Sequence, residues 1–358
     1  MEQQEPVRLT IALPLADELI EAIRGVSGRL EVTPLTRMQR HVYRDGKPLW
    51  AGYQERSSPE DESEDEARET LDPILARTQV LLTNPIVPDN ILDRAPDLQW
   101  LQLTSAGVDR LFETDTVQSG RISVTTATGM HAVPISEYVI GAMIAFAKGF
   151  PRSMRAQAEG QWRPYLAQEL EDATVGIVGL GAIGHRVAEL SKVLGMRVIA
   201  MRRTADRRMT GVEAGETAFD ELLPPTDLDY LLRESDYVVL ALPLTSGSHH
   251  LIGEAQLRSM KPNAVIVNIA RGAVIDQKAL VRALKEGWIA GAAVDVTDPE
   301  PLPSEDELWT LPNVMITPHV SGSTPRYLER AVDVFCDNLR RYVAGQALRN
   351  VVDVERGY

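Results

Sequence analysis

The chain has 358 residues, of which 44% are hydrophobic and 25% charged, a balance typical of a globular protein with about two domains. Its formal net charge of −14 argues against a wide basic surface, so we expect no nucleic-acid partner. The single cysteine, Cys336, excludes an internal disulfide, and the first residues lack the pattern of a signal peptide. The most apolar segment, residues 133–147, is short for a membrane span. We therefore expect a cytoplasmic protein without a membrane partner.

The first third of the chain alternates short apolar strands with helical segments, which predicts a small parallel α/β unit. The strands are predicted over 8–13, 30–35, 78–82 and 98–104. Asp45-Gly46 predicts a tight hairpin turn between arms within 41–50. The acidic run over 59–69 predicts a solvated loop or the start of a helix. The segment 41–69 has the character of an insertion.

From residue 132 the pattern changes to long helices and then to a second α/β series. Six strands are predicted, enough for a doubly wound sheet: 175–178, 197–201, 237–241, 264–268, 291–294 and 314–317. A helical stretch over 324–343 follows. We therefore predict a discontinuous substrate domain, residues 1–128 plus 324–358, and a nucleotide-binding domain of residues 129–323 inserted into it.

The strand over 175–178 ends in a G-x-G-x-x-G pattern, and a helical sequence follows over 185–194. Gly179 permits the tight turn, Gly181 lets the backbone approach a pyrophosphate, and Gly184 allows close packing of helix and strand. Ala182 and Ile183 supply N–H groups at the positive end of the helix dipole. The pattern predicts a dinucleotide site, with an incidental glycine turn as the alternative.

The second strand of this series indicates which dinucleotide binds. It ends in Arg202-Arg203-Thr204, where an NAD site usually places a carboxylate for the ribose hydroxyl. A guanidinium pairs with a 2′-phosphate, which a carboxylate would repel. The sequence therefore favours NADP(H). NAD(H) stays possible if one arginine is solvated and the other only covers the adenine.

Candidate reactive residues follow the later strands, because ligands of such sheets bind beyond the carboxyl ends of the strands. Pro243 stands on the predicted adenosine side, and Arg271, Asp295 and His319 follow three further strands. A histidine transfers protons near neutral pH, a carboxylate fixes its tautomer, and a guanidinium anchors a substrate carboxylate. This set predicts hydride transfer on a hydroxy acid. The alternatives are a structural histidine at 319 and an Asp295 that caps a helix.

At these residues the chain resembles the D-isomer-specific 2-hydroxyacid dehydrogenases over nearly its whole length. The matching stretches are 179–184, 268–276, 291–296, 298–303 and 317–322. The resemblance implies a two-lobed α/β fold, in which a Rossmann-type doubly wound domain is inserted into a smaller flavodoxin-like substrate domain. It assigns His319 as acid/base, Glu300 as its partner, Arg271 as the substrate-orienting cation and Asp295 as the contact of the nicotinamide carboxamide. Ala270 and Gly322 are assigned to the cofactor site.

The resemblance also implies features outside the nucleotide-binding domain. The segment 104–109 is similar to the family's substrate loop, which assigns the backbone N–H groups of Ser105, Ala106 and Gly107 to the substrate carboxylate. A homodimer is implied, with the helix from Val133 at the contact. His131 is expected to be a specificity or hinge residue, or else structural. Trp162 and Tyr165 are read as packing residues, and the scattered histidines predict no metal site.

The predicted function is an NAD(P)-dependent reduction of a small 2-oxo acid, as in glyoxylate or hydroxypyruvate reductases. Two alternatives remain. One is an enzyme like the phosphoglycerate dehydrogenases, although the chain lacks the regulatory domain that many of these carry. The other is a cofactor-sensing interaction protein of the corepressor type.

Overall fold

The computed structural model describes residues 5–47, 63–108 and 111–355. Two compact units are present, and the sequence of the second lies within that of the first. The first unit comprises Met1–Met130 and Pro325–Tyr358, and the second is His131–Thr324.

Each unit alternates strands and helices. The first contains β1 (Val7–Ile11), α1 (Asp17–Arg24), β2 (Leu30–Pro34), α2 (Arg37–Tyr43), α3 (Glu64–Ala76), β3 (Val80–Thr83), α4 (Ile91–Arg94), β4 (Trp100–Leu103), α5 (Asp115–Gln118) and β5 (Ser123–Thr125). The second contains α6 (Ala132–Ala147), α7 (Phe150–Ala158), β6 (Thr174–Val178), α8 (Ala182–Val193), β7 (Arg197–Met201), β8 (Met209–Thr210), α9 (Gly211–Ala214), β9 (Glu221–Leu223), α10 (Leu228–Glu234), β10 (Tyr237–Leu240), α11 (Glu254–Ser259), β11 (Val265–Asn268), α12 (Gln277–Glu286), β12 (Gly291–Val294) and β13 (Val314–Ile316). The final helix, α13 (Tyr327–Val343), belongs to the first unit.

The sheet of the first unit has five parallel strands in the order β2-β1-β3-β4-β5, the flavodoxin-like arrangement. Alternate side chains of β3 point to opposite faces of the sheet. Leu81 packs in the apolar cluster on one face, and Val80 and Leu82 pack in the cluster on the other. Helix α13 covers the second face, where Phe335 lies 5.2 Å from Trp100 between ring centroids. Burial of a phenylalanine side chain contributes about 1.5–3 kcal/mol, so this late helix is a substantial part of the core.

The sheet of the second unit has eight strands in the order β13-β12-β11-β10-β6-β7-β9-β8. All pair in parallel except β8, which runs antiparallel to β9 at one edge. The parallel strands form the doubly wound order, so the predicted fold class is confirmed. All six predicted strands are present, and β8 and β9 are additional. The central strands are nearly continuous apolar runs because helices cover both faces of the sheet.

The predicted hairpin around Asp45-Gly46 is wrong in its first arm. Residues 37–43 form α2, whose N-cap Thr36 makes a capping box with Gln39. Asp45 and Gly46 have positive φ and form the turn after the helix, while the second predicted arm lies outside the described residues. Of the acidic run, the part from Ser63 onward begins α3, with Ser63 as its N-cap. Of the two predictions for this segment, a solvated loop or the start of a helix, the structure shows the start of a helix from Ser63 onward.

Within the part of the chain that the structure describes, no single helix is long and apolar enough to cross a membrane. The pair α6 and α7, bent by 65° at the break between them, passes the same test of length and composition together.

Candidate active site

The candidate residues of the second unit lie along one edge of its sheet, where the parallel strands end. In the order of the strands across the sheet, Arg202 follows β7, the glycine turn follows β6, Pro243 follows β10 and Arg271 follows β11. Asp295 and Glu300 follow β12, and His319 and Gly322 follow β13. The residues expected at the pyrophosphate and adenosine thus follow β7, β6 and β10, whereas Arg271, Glu300 and His319 follow β11, β12 and β13. Asp295 and Gly322, also candidate cofactor residues, lie on the catalytic part of the edge.

The glycine turn joins β6 to α8 with very little free space. Gly179 has φ +106°, and a Cβ on Gly184 would lie 2.0 Å from the carbonyl oxygen of Gly179. At Gly181, by contrast, no atom lies within 4 Å of the position of a Cβ. No side chain caps α8, so the N–H groups of its first turn have no side-chain acceptor at the N-cap. An open approach at Gly181 beside these donors fits the pyrophosphate of a dinucleotide.

Arg202 and Arg203 are exposed at the carboxyl end of β7, next to the strand that carries the glycine turn. A third arginine of this segment has a structural role: Arg208 pairs with Asp227 at 3.1 Å and lies over the ring of Tyr230. The position of the first two arginines suits contact with the ribose end of a dinucleotide.

Arg271 begins the turn that follows β11. Buried Asn268 holds the backbone of this turn, because its side-chain amide donates to the Arg271 carbonyl at 3.0 Å and its Oδ1 accepts from the Ala270 N–H at 3.1 Å. The next residue, Gly272, lies so close to the loop after β12 that a Cβ there would sit 2.0 Å from the Thr297 carbonyl. The Arg271 turn therefore packs directly against the loop that carries Glu300. This role of Asn268 was not predicted, although a polar residue at the end of a buried strand is a usable signal.

His319 and Glu300 are in direct contact. Nδ1 of His319 lies 2.6 Å from Oε1 of Glu300, and both side chains are nearly half exposed. A carboxylate only accepts hydrogen bonds, so Nδ1 carries the proton and Nε2 is the ring nitrogen left for a substrate. The backbone of His319 has φ +54°, a left-handed conformation that is uncommon for a residue with a side chain.

Asp295 holds the loop that contains His319. Its carboxylate is buried, at 2% exposure for the residue, and accepts hydrogen bonds from the Thr317 hydroxyl at 2.5 Å and from the N–H groups of Val320 and Ser321 at 2.9 and 3.0 Å. Its carbonyl accepts from the His319 N–H at 2.8 Å. Asp295 thus organises a loop and does not cap a helix. Its predicted contact with the nicotinamide carboxamide stays a prediction.

Two hydroxyl residues of this region were missed by the sequence analysis. Tyr138 on α6 lies 2.9 Å from the Thr317 hydroxyl, which connects it to Asp295. Nothing in the local sequence indicates this contact, since the two residues are 179 positions apart.

The remaining predicted residues of the second unit occupy supporting positions. The carbonyl of Pro243 accepts a hydrogen bond from buried Ser248 at 2.7 Å, which fixes the turn after β10. The ring of His131, the N-cap residue of α6, packs against Gly322, where a Cβ would lie 2.8 Å from its Cδ2. His131 therefore supports the end of the His319 loop.

The predicted substrate loop belongs to the first unit, after β4. The carbonyl of Ser105 accepts from the Ala127 N–H at 2.8 Å, and the Ser105 hydroxyl donates to the Gly107 carbonyl at 2.8 Å. Among the hydrogen bonds of the described residues, none uses the N–H groups of Ser105, Ala106 or Gly107 as donors. These three donors are available for an anion.

Within residues 5–47, 63–108 and 111–355, no group of three or more His, Cys, Asp or Glu side chains is arranged to hold a metal ion. The described residues bring to this edge a histidine paired with a carboxylate, a guanidinium at the end of β11 and a turn suited to a dinucleotide.

Comparisons with known proteins give consistent matches. The family model for "D-isomer specific 2-hydroxyacid dehydrogenase, NAD binding domain" matches residues 140–321. The chain is 36% identical over 284 residues to glyoxylate reductase of Korarchaeum cryptofilum, which covers 77% of this chain and 82% of that protein. It is 33% identical over 270 residues to D-3-phosphoglycerate dehydrogenase of Methanocaldococcus jannaschii, or 75% of this chain and 50% of that protein.

A solved structure shows the same likeness. It is a D-isomer specific 2-hydroxyacid dehydrogenase from Xanthobacter autotrophicus Py2, in complex with NADPH and MES. It is similar with a TM-score of 0.76 at 25% identity, covering 99% of this chain and 100% of that one.

Proposed function

Because the chain belongs to the D-isomer-specific 2-hydroxyacid dehydrogenase family, a family of NAD(P)-dependent oxidoreductases, we propose that it reduces a small 2-oxo acid with His319 as the proton donor. The family and the enzyme class expected from the sequence are confirmed. The observation that carries the more specific proposal is the 2.6 Å contact between His319 and Glu300 at the carboxyl edge of a nicotinamide-binding sheet.

The proposed proton transfer follows from the geometry of this pair. Nδ1 of His319 donates to Glu300, so Nε2 faces the substrate and gives its proton to the oxygen of the 2-oxo group. Glu300 stabilises the charged imidazolium before the transfer and fixes the ring orientation. When bound, the reduced nicotinamide supplies the hydride to the carbonyl carbon. In the reverse reaction His319 takes the proton from the hydroxyl.

Arg271 is proposed to orient the substrate by pairing with its carboxylate and polarising its carbonyl. The position of Arg271 is set by Asn268 and by the contact of Gly272 with Thr297. In the first unit, the available N–H groups of Ser105, Ala106 and Gly107 are proposed to bind a substrate carboxylate.

The experiment that tests the reaction measures oxidation of NADPH and, in parallel, NADH against glyoxylate, hydroxypyruvate, pyruvate and phenylpyruvate. Oxidation with at least one of these acids is expected. Tight cofactor binding with no turnover on any 2-oxo acid would contradict the proposal and favour the sensing role. A 33% identity to a phosphoglycerate dehydrogenase supports one second candidate, so 3-phosphohydroxypyruvate is included as a substrate.

A preference for NADPH is proposed from Arg202 and Arg203, exposed at the end of β7 where a 2′-phosphate would lie. Changing both to serine is expected to lower kcat/KM with NADPH about 10- to 100-fold and with NADH by less than about threefold, because only NADPH carries the phosphate. The ratio of the two kcat/KM values is the measurement. Arg207→Ser, an exposed arginine of the same segment, is the control. Equal losses with both cofactors, or a wild-type preference for NADH, would refute the assignment.

A homodimer is proposed from exposed apolar residues that follow α6. Helix α6 itself is mostly buried in its own unit, whereas Trp162 and Leu166 are 95% and 94% exposed. Trp162 is therefore not a packing residue within the described chain, contrary to expectation, while the Tyr165 hydroxyl bonds the Lys148 carbonyl at 2.7 Å. Phe150 and Met154 on α7 are also exposed. Large exposed apolar patches mark interaction sites, and we propose that these side chains form one.

Light scattering after gel filtration is expected to give twice the mass of the chain. Replacing both Trp162 and Leu166 with glutamate should shift the protein toward the monomer, because buried charges without partners disfavour association. Val212→Glu, at an equally exposed valine of the same unit, is the control and should remain dimeric. A monomeric wild-type protein, or a double variant that remains dimeric, would show that this segment is not the interface.

A further inference from the structure

The loop that carries His319 is held in an uncommon conformation. His319 has φ +54°, and such a backbone persists only where surrounding contacts fix it. The contacts come from Asp295, whose carbonyl and carboxylate together bind the N–H groups of His319, Val320 and Ser321. The orientation of His319 toward Glu300 therefore depends on the orientation of the Asp295 carboxylate.

The Asp295 carboxylate is itself held by a chain of two hydroxyl groups. Thr317 lies 2.5 Å from Asp295 Oδ1, and Tyr138 lies 2.9 Å from the Thr317 hydroxyl. The direction of the hydrogen bonds follows from chemistry, because a carboxylate only accepts. Thr317 must donate to Asp295, and its single proton is then used. Tyr138 must therefore donate to Thr317.

The hydroxyl of Tyr138 is not explained by packing alone. Tyr138 lies on α6, a mostly apolar helix, where a phenylalanine would fill the same space without a polar atom to satisfy. Burial is the main cause that raises the pKa of Tyr138 to about 12; the hydrogen bond with Thr317 opposes it and the charge of nearby Asp295 adds to it. The phenol therefore remains a donor throughout the working range of pH. A donor at the start of a series of linked hydrogen bonds polarises each of the hydrogen bonds that follow.

We propose that Tyr138 is a positioning residue for His319, acting through the Thr317 hydroxyl and the Asp295 carboxylate on the loop that sets the histidine's orientation. This inference rests on the proposed acid/base role of His319. Tyr138 touches neither substrate nor cofactor in this scheme. Its contribution is the alignment of the proton donor, so its loss lowers the rate of the chemical step far more than the affinity for the cofactor.

The first test is Tyr138→Phe, which removes only the hydroxyl oxygen. We expect kcat for 2-oxo-acid reduction to fall about 5- to 20-fold, because small misplacement of a catalytic group is costly. The NADPH dissociation constant and KM for the oxo acid should stay within about twofold, as expected when only the transition state is affected. Tyr237→Phe is the matched control. Tyr237 is a buried tyrosine of the same unit, but it is the first residue of β10, and the candidate site lies at the carboxyl ends of the strands. This control should leave kcat unchanged.

Thr317 provides a rescue pair. Thr317→Val removes the hydrogen bonds to Asp295 and to Tyr138 at nearly constant side-chain volume. It should lower kcat more than Tyr138→Phe does. Thr317→Ser keeps the hydroxyl and should restore most of the activity. If valine and serine at this position give equal kcat values, the hydroxyl chain does not position His319 and the proposal is overturned.

The decisive test combines Tyr138→Phe with His319→Gln. If Tyr138 acts only through His319, its substitution should cause no further loss in the His319→Gln background. If it causes the same fold-loss in both backgrounds, Tyr138 has a general structural role and the inference fails. The single His319→Gln variant reports separately on the proposed function: full turnover there would refute the acid/base role, whatever Tyr138 does.

Discussion

His319→Ala is expected to lower turnover about 10²- to 10⁴-fold while NADPH binds with nearly its native affinity, since general acid–base catalysis contributes about this factor. The ring is lost, but the residues of the glycine turn that would hold the dinucleotide are untouched. Turnover is measured by the absorbance of the reduced nicotinamide, and affinity by its fluorescence on titration.

His185→Ala is the control for this variant. His185 belongs to the same unit and also lies near a carboxylate, 3.5 Å from Glu216, but it stands on α8 and not on the loop after β13. Its loss should change turnover by less than about twofold, in line with surface substitutions elsewhere. Turnover retained in His319→Ala would exclude His319 as the proton donor.

Gly181→Ala and Gly184→Ala are expected to fail in different ways. At Gly181 the added methyl group has open space and φ of −87° suits alanine, so the melting temperature should not change. The methyl group would, however, occupy the approach of the pyrophosphate, so the affinity for NADPH should fall about 100-fold. Isothermal titration with NADPH measures this loss.

Gly184→Ala should instead damage the fold, because its Cβ would lie 2.0 Å from the Gly179 carbonyl oxygen. Relieving that overlap requires the turn and α8 to separate, at a cost of about 1–3 kcal/mol in the free energy of unfolding. Thermal unfolding distinguishes the two variants. If Gly181→Ala binds NADPH with native affinity, the pyrophosphate does not approach the turn as proposed.

Much of the architecture was predictable because its signals are local. The strands of the second unit are short apolar runs, and β6 ends in a glycine pattern that has few structural solutions. The rule that ligands bind beyond the carboxyl ends of parallel strands then singled out Arg271, Asp295 and His319. The edge strand β8 and its neighbour β9 were not found, since two or three residues are too few to show a periodicity.

The hairpin error has an identifiable physical origin. The Asp45-Gly46 pair was read as a hairpin turn, but the same pair can follow a helix, where positive φ is equally common. The stronger signal was Thr36 with Gln39 three residues later, a capping box that starts α2. The acidic run contained a second such box, Ser63 with Glu66, at the start of α3.

The fine structure of the candidate site was beyond the sequence. Glu300 stands 19 residues before His319 in a loop, and only the fold brings Nδ1 and Oε1 within 2.6 Å. The link from Tyr138 to Thr317 spans 179 residues and follows no spacing rule. Asp295 was correctly singled out, yet its three hydrogen bonds to one loop could not be derived from its position at a strand end.

The return of α13 to the first unit has a consequence for how the chain folds as it is synthesised. Trp100 packs against Phe335, and Phe335 emerges from the ribosome only after the whole second unit has been made. The usual order, in which the N-terminal domain folds first, is therefore reversed. The inserted unit is contiguous and can mature early, while the first unit exposes an apolar sheet face until translation is nearly finished. During that interval we expect the nascent first unit to be the part of the protein most prone to aggregation.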